Sequence, residues 1–139
     1  TKEYKLSDEN FEKTINLDPE NANVMNNWAY YLSLRNDNLD NAEKMGRKAN
    51  LLVKDNSSYE DTYAWVLYKQ KNYEEAKRWQ EKALEHGGEK NGTLLEHYGD
   101  ILFQLGQTDK AFEYWQKAKI VGKHSDFLDK KISDKKLYE

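Results

Sequence analysis

Alanine returns in this chain at a fixed distance. Ala42 and Ala49 are followed 34 residues later by Ala76 and Ala83, and 35 further on by Ala111 and Ala118. A second column runs ahead of each pair: Trp28-Ala29, Tyr63-Ala64 and Tyr98-Gly99, with Leu32, Leu67 and Leu102 three residues after the small one. A unit of this length cannot bury its apolar face alone, so copies must stack against one another.

The spacing inside each unit names the element. Aromatic, small and Leu at i, i+1 and i+4 share one stripe of a helix. The alanine pair seven apart marks the matching stripe of a second helix. Small residues recur where two helices cross, because only Ala or Gly lets the backbones close up, and large neighbours fill the rest. Short polar turns separate the runs at Arg35–Asn38, Lys71-Asn72 and Leu105–Gln107. Each unit therefore reads as a helix, a tight turn and an antiparallel helix. The expected helices are 5–17, 22–35, 39–53, 57–70, 73–86, 92–105, 108–121 and 125–138, with Ser125-Asp126 as the N-cap of the last.

Composition agrees with an open helical array. The 139 residues suit one domain. Hydrophobic residues make up 37% and charged ones 34%, so each helix keeps a face in water, while 13% aromatics is too many for a disordered chain. The net charge of −3 comes from interspersed signs, and with no basic stripe duplex nucleic acid is not an expected partner. No apolar run reaches the roughly 18 residues of a membrane span. Zero Cys rules out disulfides and cysteine-ligated zinc.

The pattern resembles the tetratricopeptide repeat (TPR) family. The matching residues are Met25, Trp28, Ala29, Leu32, Ala42 and Ala49, then Glu60, Tyr63, Ala64, Leu67, Ala76 and Ala83. The third set is Leu95, Tyr98, Gly99, Leu102, Ala111, Trp115 and Ala118. Phe11, Thr14 and Pro19 match the second helix of an earlier unit. The resemblance implies an all-α fold, a right-handed superhelix of antiparallel helix pairs (an α-solenoid). The expected organisation is residues 1–21 as the C-terminal half of a preceding repeat, then repeats over 22–56, 57–90 and 91–124, and a C-terminal capping helix over 125–139. A chain that opens mid-repeat and ends in a polar-backed helix is expected to be the C-terminal fragment of a longer array. Two departures fall on the second helices. Gly46 and Gln80 stand where the family has an aromatic, and Met45 and Trp79, one residue earlier, are expected to fill that space.

In this family the first helices line a concave groove where ligands lie. By register the groove-facing residues are Asn26, Asn27 and Tyr30 in the first unit, with Asp61, Trp65, Tyr68 and Lys69 in the second. Glu96, His97, Asp100 and Phe103 follow in the third. The family's clamp for C-terminal carboxylates needs Lys, Arg and Asn where this chain has Asn26, Tyr30, Thr62, Thr93 and His97, so that use is not expected. Asp61, Glu96 and Asp100 instead suit a basic or amide-rich protein segment, with Tyr30, Trp65 and Tyr68 as anchors. Those aromatics equally fit packing between neighbouring first helices.

Catalytic signatures are weak. His86 and His124 fall at helix ends or loops. His97 follows Glu96 directly, so the two point about 100° apart on a helix and do not chelate together. Gly87-Gly88 lacks the Lys-Ser/Thr of a phosphate loop. The expected function is a non-enzymatic interaction scaffold with no cofactor and no metal. The alternative is a spacer or self-association module, pairing as a dimer through Phe11, Ile15 and Leu17 of the open half-repeat; otherwise a monomer is expected.

Overall fold

The computed structural model describes residues 2–138; the outermost residues of the expected first and last segments, 1 and 139, lie outside them. The elements are α1 (Lys2–Leu17), α2 (Ala22–Leu34), α3 (Leu39–Leu52), α4 (Ser57–Lys69), α5 (Tyr73–Glu85), α6 (Gly92–Gln104), α7 (Thr108–Val121) and α8 (Leu128–Asp134), with a 3-10 turn at Gly88–Lys90. No strand occurs among the described residues, and no helix there is long and apolar enough to cross a membrane.

Local chemistry repeats with the same period as the alanines. Asn21, Asn56 and Asn91 begin α2, α4 and α6, each accepting a hydrogen bond from the backbone N–H of Val24, Tyr59 or Thr93. An amide oxygen there satisfies an orphan donor of the first turn. The same three helices end alike. Asn36, Lys71 and Gly106 are left-handed, and the next N–H bonds back to Leu32, Leu67 or Leu102 O. This closure turns the chain sharply into the second helix.

The antiparallel pairs are α2/α3, α4/α5 and α6/α7. The paired alanines are fully buried where the helices cross. Each pair has its own apolar cluster and takes one plug from the helix that follows. Val66 of α4 enters the α2/α3 cluster, Ile101 of α6 the α4/α5 cluster, and Leu128 of α8 the α6/α7 cluster. The aromatics ahead of the small residues tie units together by their polar tips. Trp28 Nε1 donates to Asp8 at 2.9 Å, Tyr63 OH to Glu43 at 2.8 Å and Tyr98 OH to Glu81 at 2.9 Å.

Two expectations are corrected. Trp79 does not fill the space of the missing aromatic. It packs edge-on against Tyr63 at 4.9 Å, as Tyr114 does on Tyr98 at 4.6 Å, while Gln80 is itself buried with Nε2 donating to Asp61 (2.8 Å) and Leu94 O (2.9 Å). The last helix covers only 128–134: Ser125 is drawn onto Glu96 through both its N–H and its hydroxyl, which leaves Phe127 at the cap position, and the backbone turns left-handed at Lys135.

Candidate functional site

The first helices and the C-terminal segment together line a concave pocket of about 390 Å³. Tyr30 and Leu34 come from α2, Trp65 and Lys69 from α4, Thr93, Glu96, His97 and Asp100 from α6. His124, Ser125, Phe127, Lys131 and Tyr138 close it from the C-terminal side. The floor is an aromatic stack. The Trp65 ring lies between Tyr68, at 4.4 Å, and His97, at 3.9 Å, with the Lys69 ammonium 5.6 Å from its centre.

Charge in the pocket is organised by the repeat. Asp61 and Glu96 hold equivalent positions on α4 and α6, and each is met by a basic side chain from the following segment. Asp61 meets His97 Nδ1 at 2.8 Å. Glu96 meets Lys131 Nζ at 2.7 Å, and the same ammonium reaches both Asp100 oxygens at 2.9 and 3.0 Å. Ser125 N–H donates to the other Glu96 oxygen at 2.7 Å, and Trp115 Nε1 to Asp100 at 3.0 Å. Lys131 on α8 thus does for Glu96 on α6 what His97 on α6 does for Asp61 on α4.

The titration of these groups follows from that packing. Burial opposes the His97 imidazolium, but Asp61 outweighs it, with Asp100 and Glu96 adding to it, and the pKa is raised. Burial likewise works against the Lys131 ammonium, and the two carboxylates hold it above the usual range. Burial raises Glu96, but the bonds from Lys131 and Ser125 win and its carboxyl is lowered. For Asp100 burial wins, and the carboxyl is pushed up to about 6. Burial, then Asp61, raises the Tyr30 phenol.

The expected groove residues divide accordingly. Tyr30, Trp65, Lys69, Glu96, His97 and Asp100 meet in one pocket. Asn27 is exposed on α2, and Asn26 is buried there, its Oδ1 without a hydrogen-bond partner. Tyr68 lies beneath Trp65 and borders a separate hollow with Lys71 and Tyr73. Phe103 is not part of the pocket; it stacks on Trp115 at 5.7 Å and faces a hollow with Phe112 and Lys135. Asp61, Glu96 and Asp100 are buried and engaged by the chain's own basic side chains, His97 and Lys131. The open acidic zone expected to receive a basic segment is thus already filled from within. Sequence reasoning missed Lys131, which sits on a short helix outside the register of the repeats.

Among the described residues, one group could bring metal-ligating atoms together: Asp55, Glu60 and His86. The imidazole there spans two carboxylates, with Nδ1 at 2.7 Å from Glu60 and Nε2 at 3.5 Å from Asp55. Its nitrogens point to different partners, which is the geometry of an ion-pair bridge.

No curated protein matches the chain in sequence. The tetratricopeptide repeat family matches it over residues 19–129. Among solved structures, YrrB, described as a TPR protein with an unusual peptide-binding site, is 30% identical with a TM-score of 0.73, covering 90% of this chain and 63% of that one. The structure of pilF from Pseudomonas aeruginosa is 22% identical with a TM-score of 0.74, covering 96% of this chain and 64% of that one. The Sgt2 TPR domain from Aspergillus fumigatus is 16% identical with a TM-score of 0.73, covering 82% and 76%. The chain thus spans less than two thirds of the YrrB and pilF chains. With three helix pairs in phase and a family match over most of its length, the chain belongs to the tetratricopeptide repeat family.

Proposed function

We propose that the chain is a non-enzymatic interaction module that holds a segment of a protein partner in the pocket lined by α2, α4 and α6. The observation that carries this reading is the aromatic floor with an exposed rim. Tyr30 and Lys69 are half-buried and Leu34 is exposed, beside the packed Trp65 stack. Aromatic and long cationic side chains presented on a fixed scaffold are the usual anchors of peptide recognition. The peptide-binding site of YrrB adds support by likeness. With the buried acids already paired, the rim favours apolar side chains and backbone carbonyls, which Lys69 can meet.

The test uses rim residues that the core does not need. A Tyr30→Ser, Lys69→Glu double variant is expected to lose a co-purifying partner by about tenfold or more, with an unchanged circular dichroism spectrum. Full retention of the partner would sink the groove reading. Self-association is favoured by a separate observation: Leu6, Phe11 and Val24 line a hollow on α1 and α2, and Leu17 is 88% exposed. Light scattering across concentrations decides it, since a monomer throughout removes that reading.

A further inference from the structure

Resting on the groove reading, we propose that the Glu96–Asp100 carboxylate pair is a lysine-recognition site and that α8 is its replaceable occupant. The partner it fits is an amphipathic helix carrying lysine, with an apolar residue three positions before it and another directly after.

The chain itself displays how such a helix would sit. Leu128 is fully buried in the α6/α7 cluster, Lys131 lies three residues on with its side chain 4% exposed, and Ile132 packs beside it. The ammonium is met by three carboxylate oxygens within 3.0 Å. Trp115 of α7 holds Asp100 through the oxygen that Lys131 shares, and Ser125, on the connection ahead of α8, binds Glu96 together with Lys131. A compact ammonium with three donors matches the three oxygens one to one, and the larger guanidinium would have to enter the same nearly closed space. One ammonium faces the two buried carboxylates, so an emptied pair must take up either a proton, which Asp100 already accepts readily, or another cation.

Replaceability follows from how α8 is attached. It has seven residues, far below the roughly 12–15 at which a helix persists alone. Its conformation therefore depends on docking. The connection from α7 passes through Gly122 and Lys123, both at positive φ, and α8 ends at Lys135, also at positive φ. Short elements held by docking rather than by their own helix length open at low cost.

The probe is a fluorescent peptide of residues 123–138, titrated against the complete chain. In Lys131→Glu the in-chain latch carries the wrong charge, and the variant is expected to bind the peptide at least tenfold more tightly than the wild type. A peptide with Lys131→Gln is expected to bind that variant at least tenfold more weakly, and one with Lys131→Arg to be weakened as well. Equal affinity of wild type and variant, or equal binding of the Gln peptide, overturns the proposal. A milder in-chain Lys131→Gln guards against misfolding. Its amides at 125–134 are expected to exchange hydrogen at least tenfold faster while those of α4 and α5 keep their rates; unchanged exchange at 125–134 also overturns it. If these tests fail while the Tyr30, Lys69 variant still loses its partner, the latch is wrong and the groove reading stands.

Discussion

Trp65→Ala separates packing from recognition at the residue where the two readings collide. The indole is 7% exposed, with Tyr68 stacked on one side at 4.4 Å and His97 at 3.9 Å. Truncating a buried tryptophan costs about 3–5 kcal/mol through lost transfer energy and the cavity left behind. That is a large part of the roughly 5–15 kcal/mol that holds a domain together. At roughly 2–4 °C per kcal/mol for a chain near this size, the midpoint should fall by on the order of 10 °C. Thermal and urea unfolding followed by circular dichroism read this directly. A loss below about 1 kcal/mol would refute the reasoning, because it would mean that the indole is not packed and is available to a ligand. The expected loss also explains why binding must be probed at Tyr30 and Lys69: a Trp65 variant would lose a partner merely by loosening α4 against α6.

Gly99→Ala tests the close crossing of α6 and α7: the new Cβ would lie 2.4 Å from Trp115 Cδ1, and a loss of about 1–3 kcal/mol in urea unfolding is expected. Lys71→Gly relieves a left-handed lysine at φ 66° and should stabilise by about 0.5–1 kcal/mol in the same assay. His97, whose folded pKa is raised above 6.5, contributes stability that is complete below 6.5 and lost as pH rises through the folded value. His86, bonded to Glu60, is raised as well and acts in the same direction. Urea midpoints should therefore fall as pH rises above 6.5, and less so in His97→Gln. A slope unchanged by that substitution would show that the Asp61 pair is not its source.

The alanine period was enough to read the helix pairs, since a residue without side-chain freedom marks a crossing unambiguously. The Asn21, Asn56 and Asn91 caps form another column of period 35, which only the structure brought out. Gln80 misled because a buried amide is recognised only by its partners, here Asp61 and the Leu94 carbonyl, which lie on other helices. The pocket was harder to read for a related reason. Register tells which face a side chain leaves from, not whether a long cation elsewhere will reach it. Glu96 and Asp100 therefore looked open until α8 laid Lys131 across them. Phe103 shows the opposite error, a groove position by register whose ring turns onto Trp115.

The central claim is that a partner lies along the first helices. A photo-cross-linking residue placed at Tyr30 or at Lys69, and for comparison at Lys48 on the exposed face of α3, tests it most directly in the partner-bound protein. Adducts from the two pocket positions and none from Lys48 are predicted; adducts from Lys48 alone would contradict the account.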